Sequence, residues 1–286
     1  ESRAVEIEFQ IPKITSDEDR VYDARTFSIG DQSGGPYVLA MRDLTRERQI
    51  SRMKSDFVSK ASHELRTPLA SIRGYLEMLV DGEAESEETQ KQFIESMLAD
   101  TERLSSLVEN MLNISRIEAG IVRPQLDHSD LGEIARHVAH MLEPFAADKK
   151  IQVTTATAPG DLSVEGDSTM LHEVVLNLAT NAIKYTPDGG RVTISVDTDS
   201  LERSVLVAVT DTGLGIPLES RERVFEKFFR VPSYERMAQG TGLGLNLCRN
   251  IVESVHQGRI GVDSTMGEGS RFWFSIPMGF AGARAA

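Results

Sequence analysis

A histidine stands in this chain where a folding helix has no use for one. Counting about 100° per residue, Ile50, Met53, Phe57, Ala61, Leu65, Leu69, Ile72 and Leu76 fall on one apolar stripe, and His63 lies opposite its centre. His63 is therefore expected to face water. Ser59, Lys60 and Thr67 share its face, and Glu64 is its immediate neighbour. An exposed imidazole is mostly neutral at physiological pH and offers a nucleophilic ring nitrogen. Any solvated helix face can also carry a histidine, so the meaning of this one rests on what else the chain holds.

A second chemical stretch lies at 171–185. Glu173, Asn177, Asn181 and Lys184 form a polar stripe within about 40° of Asn177, while Val174, Val175, Leu176, Leu178, Ala179, Ala182 and Ile183 cover most of the remainder. A helix this apolar is largely buried. A buried amide without a partner costs about 1 to 3 kcal/mol, so two on one ridge need something to bind. They can cap the backbone of a neighbouring loop. A hydrated Mg²⁺ beside phosphates, with Lys184 supplying charge, satisfies the ridge better.

Two glycine-rich segments follow. Asp211-Thr212-Gly213-Leu214-Gly215 comes directly after the apolar run Val205 to Val209, and Gly240-Thr241-Gly242-Leu243-Gly244-Leu245 opens a helix continuing through Leu247, Ile251 and Val252. Each alone is also the mark of an ordinary turn. A glycine loop leading into a helix N-terminus presents N–H groups to phosphates. Asp211 would repel phosphate and suits the adenine end, where it accepts a hydrogen bond from the exocyclic amine. Between the two lie Phe225, Phe228 and Phe229, which read as core or loop anchors, and Arg230, which is placed to reach a terminal phosphate. The polar segment 231–239, with Tyr234, Arg236 and Met237, reads as a lid.

The elements that must position these groups are legible in outline. Residues 4–42 alternate as a short antiparallel meander broken at 31–35. From Thr45 to about Val80 the period is helical, with Pro68 placed to kink the helix just past His63. A second amphipathic helix carries Phe93, Met97, Leu104, Leu107, Val108, Met111, Leu112 and Ile117 up to Gly120. Such a hairpin has more apolar surface than it can cover alone, and pairing with a second copy into a four-helix bundle covers it. A homodimer is expected. Helices near 131–147, 168–184 and 244–256 then mix with strands at 151–156, 191–197, 204–210, 259–264 and 270–275. The expected fold class is α+β and multidomain: a β segment over 1–44, the hairpin over 45–119, a linker over 120–130, an α/β domain over 131–278 and a disordered tail over 279–286.

At 286 residues the chain is expected to fold as more than one domain. Its net charge of −13, from 31 basic and 44 acidic residues, with no basic block, argues against nucleic acid as a partner. The single cysteine, Cys248, excludes an internal disulfide and fits a reducing compartment. No run nears the roughly 18 apolar residues of a membrane span. The region is expected in the cytoplasm. Glu1 rather than Met opens the chain, which reads as a fragment and leaves open an upstream anchor in the bacterial inner membrane. His137 and His140 lie three apart without a matching acid cluster, so no metal is expected there. His128, His172 and His256 read as surface or capping residues, and Trp273 and Phe274 as core.

Assembled in this order, the segments around His63, Asn177 to Tyr185, Asp211 to Gly215, Phe225 to Arg230 and Gly240 to Leu245 resemble the motifs of a sensor histidine kinase of two-component signalling. The resemblance covers about residues 45–277. The run Tyr37 to Thr45 also resembles the last strand of a PAS sensor domain and its exit into a helix. What the resemblance implies is a dimerisation and phosphotransfer hairpin followed by a Bergerat-type ATP-binding sandwich. His63 would be the phosphorylated residue, Glu64 the acid or base that activates it, and Thr67 the residue implicated in dephosphorylating the partner. Asn177 and Asn181 would hold Mg²⁺ and phosphate, Lys184 and Arg230 phosphate, Tyr185 the nucleotide and Asp211 the adenine. Gly213, Gly215, Thr241, Gly242, Leu243, Gly244 and Leu245 would form the nucleotide loops. The implied reaction is ATP-dependent phosphorylation of His63, then transfer to an aspartate on a response regulator receiver domain, with phosphatase activity on that partner. An ATPase of the same type that only hydrolyses ATP accounts for the nucleotide segments but leaves the 63–69 face without a purpose. A non-catalytic, nucleotide-responsive dimeric scaffold is the third possibility.

Overall fold

The structure is a computed structural model that describes residues 5–11, 20–28, 37–234 and 240–279. The chain divides into two compact units, Glu1–Arg66 and Thr67–Ala286. The first holds an antiparallel sheet of β1 (Val5–Ile11), β2 (Arg20–Ser28) and β3 (Tyr37–Asp43) in that order. The meander expected from alternation is present; its turn at 31–35 lies outside the described residues. Helix α1 (Thr45–Val80) starts directly from this sheet. The Val21 N–H donates to Thr45 Oγ1 at 3.0 Å and the Leu44 N–H to Val21 O at 2.8 Å. Val21 and Ala24 are buried, whereas Val38, Leu39 and Met41 of β3 are exposed.

Helix α1 remains helical through Pro68, whose ring is buried, to Val80. Helix α2 (Glu87–Glu118) follows, its start fixed by Ser86, whose Oγ accepts from the Thr89 N–H at 3.1 Å. The ring of Tyr75 in α1 lies 5.1 Å from that of Phe93 in α2.

The remainder of the second unit is built on a five-stranded sheet with helices on one face, beside a separate two-stranded sheet. Its strands are β5 (Gln152–Thr157), β7 (Arg191–Asp199), β8 (Ser204–Asp211), β9 (Arg259–Thr265) and β10 (Gly269–Pro277), in the order β5-β7-β8-β10-β9. Only β5 and β7 pair in parallel. The period of two is clean: Val192, Ile194 and Val196 of β7 and Phe272, Phe274 and Ile276 of β10 are buried while the alternating positions are not. Against that face pack α3 (Leu131–Asp148), α4 (Ser168–Tyr185) and α5 (Gly244–Arg249), the last continuing as a π-helical turn over Asn250–Val255. Trp273 points to the other face, above Gly261, where a Cβ would stand 2.5 Å from its ring.

Three sequence readings need correction. The stretch taken as linker ends in a strand, β4 (Asp127–Asp130), paired antiparallel with β6 (Ser163–Gly166). Both strands are four residues long and polar, too short for alternation to show. His256 is fully buried rather than at the surface, and of the two readings capping holds: its Nε2 accepts from the Asp167 N–H at 3.0 Å, which leaves Nδ1 to donate to Ile251 O, in the last helical turn before it, at 2.9 Å. His172 is half-buried beside His137, at 5.4 Å between rings, and burial followed by the His137 charge lowers its pKa. The tail 280–286 lies outside the described residues. Cys248 is core, and burial holds its thiol far above the ordinary range.

Candidate nucleotide site

Helix α4 begins at Asp167, whose Oδ1 accepts from the Thr169 and Met170 N–H groups at 3.1 Å each. Its apolar positions Leu171, Val174, Val175, Leu178, Ala179, Ala182 and Ile183 are buried against the sheet and α3. The polar stripe is thereby turned to the edge of the core. At its far end the Lys149 ammonium donates to the carbonyls of Ile183, Lys184 and Thr186 at 2.8, 3.1 and 2.6 Å, satisfying the last turn's orphan acceptors.

A cavity of about 310 Å³ opens over that stripe. Around it stand Asn177, Asn181, Lys184, Tyr185, Asp211, Gly215, Arg230, Thr241, Gly242, Gly244 and Leu245. Eleven of the sequence-derived nucleotide residues thus meet at one place, drawn from segments up to 68 positions apart (177 to 245). Gly213 and Leu243 do not line it. Leu243 is fully buried. Gly213 sits behind Asp211 and donates its N–H to Asp211 Oδ1 at 2.8 Å; a Cβ there would stand 2.6 Å from Tyr185 O.

Asp211 is the acid of the cavity wall. Its Oδ1 also accepts from the Ser270 N–H at 3.2 Å, so both bonds fall on one oxygen and Oδ2 is the oxygen offered to a ligand. Burial raises the carboxyl pKa, and the two N–H groups act against that rise. Behind it Ser264 Oγ accepts from the Ile216 N–H and donates to Gly269 O, both at 2.8 Å. Tyr234 closes this side, donating its hydroxyl to Leu214 O at 3.3 Å, with its ring 6.2 Å from that of Tyr185.

Cations line the same cavity. Lys184 is held down to about 8 by burial first, then by the charges of Arg230 and Arg103. Its Nζ lies where a Cβ on Gly240 would come within 2.7 Å, so the second glycine loop passes directly over it. Asn177 Nδ2 donates to Glu173 O at 3.1 Å, and its Oδ1 lies against Gly244. That leaves an amide oxygen, with Asn181 one turn on, as donors for a hard cation that keeps its own waters and phosphate oxygens. Among the described residues no cluster of three His, Cys, Asp or Glu could hold a metal by itself. Burial and then the Glu109 charge raise the Glu173 pKa.

The phenylalanine segment secures the glycine loop. Phe228 has φ 58° and donates its N–H to Gly242 O at 2.9 Å, while Gly242, with φ 68°, approaches so closely that a Cβ would meet Phe228 C at 2.8 Å. Phe225 is core, edge-on to Phe272, with the Arg249 guanidinium 4.8 Å from its ring centre. Arg236 and Met237 of the expected lid lie outside the described residues.

Sequence reasoning missed one wall. Arg103, Ser106 and Asn110 of α2 line the cavity, and Leu107 and Ile114 are buried where that helix packs on the α5 end. Glu118 and Lys227 form an ion pair there at 2.7 Å. His63 and Thr67 are exposed on α1, and Glu64 is half-buried. No helix among the described residues is long and apolar enough to cross a membrane.

Comparison with known proteins bears on the whole assembly. Residues 53–120 match the His Kinase A (phospho-acceptor) domain, and residues 166–279 match the histidine kinase-, DNA gyrase B- and HSP90-like ATPase. The chain belongs to the sensor histidine kinases. Its relatives include drug sensory protein A of Synechocystis, 36% identical over 84% of this chain and 37% of that protein. Sensor histidine kinase WalK of Bacillus subtilis is 32% identical over 84% of this chain and 39% of its own length. The chain thus spans under two-fifths of these curated relatives. Full-length ShkA, solved in complex with AMPPNP, superposes with a TM-score of 0.59 and 29% identity over 80% of this chain and 47% of that one. The helical hairpin followed by a mixed α/β ATPase sandwich is the fold of this family.

Proposed function

We propose that this region phosphorylates itself at His63 from Mg·ATP, passes the phosphoryl group to an aspartate of a response regulator receiver domain, and removes it again from that partner. One observation carries the proposal: an acid suited to adenine, Asp211, and the cations Lys184 and Arg230 line one cavity, in a chain that also exposes His63 on a phospho-acceptor helix. The ATP analogue held by ShkA supports the same occupant. PAS-like character in β1 to β3 belongs to this proposal as well.

Asp211 Oδ2 accepts from the adenine amine and Tyr185 lies along the nucleotide. Lys184 and Arg230 neutralise charge on the phosphates, which is most of what phosphoryl transfer asks of a protein. Asn177 and Asn181 would hold Mg²⁺, whose contribution is to offset phosphate charge. The unprotonated ring nitrogen of His63 attacks the γ-phosphorus in line. The bond to the β–γ bridging oxygen breaks, ADP leaves, and Glu64 takes up the proton on the other ring nitrogen. Thr67, one turn on, positions the water that hydrolyses the regulator's aspartyl phosphate, which releases inorganic phosphate and the free carboxylate.

The test uses γ-labelled ATP. His63→Gln is expected to abolish the acid-labile phosphoprotein while ATP binding, followed by titration, stays at the wild-type level. Label retained on the variant, or free phosphate released without any phosphoprotein in the wild type, overturns the assignment.

A further inference from the structure

The nucleotide cavity has one wall that the ATP-binding sandwich does not supply. Arg103, Ser106 and Asn110 come from α2, part of the hairpin. At about 100° per residue they fall on one flank of Leu107, within roughly 100° of it. Leu107 and Ile114 are buried, and the Glu118–Lys227 pair at 2.7 Å fastens the end of the same helix. The polar flank is therefore held against the cavity by packing beside it, and Arg103, half-buried, is part of that wall.

Lys184 and Arg230 line the same cavity. Arg103 lies close enough to Lys184 for its charge to act together with that of Arg230 in lowering the lysine's pKa. Arg103, Lys184 and Arg230 line the same cavity, and an anion bound there can accept a charge-assisted contact from each. On the nucleotide reading Asp211 takes the base, so the anion beside these cations is the phosphate chain.

We infer that Arg103, carried by the phospho-acceptor hairpin, is a phosphate-binding residue of the nucleotide site, so that the hairpin itself helps to hold the triphosphate. The inference rests on the nucleotide reading of the cavity. It makes α2 and the sandwich share one ligand, whose contact adds to the packing at Leu107 and Ile114 and the Glu118–Lys227 pair that already join them.

The experiment is displacement of a fluorescent ATP analogue from the full chain by ATP and by AMP, with Arg103→Ala, Arg103→Gln and Arg103→Lys. Ala and Gln are each expected to weaken ATP by about tenfold, the usual scale for losing one contact to a charged group, with AMP changed less than about twofold and Lys intermediate. Two neutral variants guard against one that misfolds, checked by circular dichroism. ATP affinity within about twofold of wild type in both neutral variants, or equal weakening of ATP and AMP, overturns the inference and leaves the nucleotide site standing. A wild-type chain that binds no ATP overturns the nucleotide reading itself, and the inference with it.

Discussion

Among the residues that line the cavity, Lys184 is the one whose protonation its surroundings shift most. Its ordinary value of 10.5 is brought to about 8 by burial, Arg230 and Arg103. The unfolded chain therefore binds more protons than the folded one between about pH 8 and 10.5, so the lysine's destabilising contribution is full below pH 8 and fades as pH rises through that window. Ligand binding has the opposite sign. Phosphates favour the ammonium, so the free chain gives up affinity as it deprotonates. Affinity for Mg·ATP is expected to fall between pH 7 and 9, and binding near pH 8 to take up a proton, read as a buffer-dependent enthalpy in calorimetry. Lys184→Met should bind more weakly and with a flat profile. A wild-type affinity that holds steady to pH 9 would remove Lys184 from the phosphate contacts.

At the scale of elements, the site depends on how α4 is anchored. Asp167 caps it through Thr169 and Met170, takes the Gln125 N–H on Oδ2 at 2.9 Å, and donates its own N–H to His256. Asp167→Ala is expected to cost about 1 to 2 kcal/mol, read as an earlier urea midpoint for the sandwich, whereas Asp167→Asn, an equally good cap, should stay near wild type. Equal loss in both would place the effect in charge rather than in capping. The same elements show what could be read in advance. The α4 stripe and both glycine segments were legible because periodicity and residue type coincide within one stretch of chain. Arg103, Ser106 and Asn110 were not, since an Arg, Ser, Asn flank on an amphipathic helix has the composition of any solvated face. Nor was the support behind Asp211, where Ser264 and Ser270 approach it only through strand pairing. His256 escaped for the same reason: its partners, Asp167 and Ile251, are chosen by tertiary packing, and nothing near it in sequence marks a buried ring.

The whole molecule carries one more demand, set by the hairpin. Rotation about α2 gives it three distinct flanks: one buried on the sandwich at Leu107 and Ile114, one polar at the cavity, and one apolar at Ile94, Leu98, Val108 and Leu112. The last is uncovered, with Leu98 58% exposed, and Leu69 of α1 is 57% exposed. An apolar flank this long on adjoining helices is the surface a four-helix bundle buries, and a second copy supplies a matching one by symmetry. Each leucine so covered contributes about 1.5 to 3 kcal/mol, enough that replacing two should dissolve the pairing. The chain is expected to sediment at twice its own mass at micromolar concentration. Leu69→Glu combined with Leu98→Glu should shift it to the monomer while leaving ATP affinity unchanged, because neither side chain lines the cavity. A wild type that sediments as a monomer, or a double variant that still sediments as a dimer, would mean that this flank is covered by something other than a second copy of the hairpin.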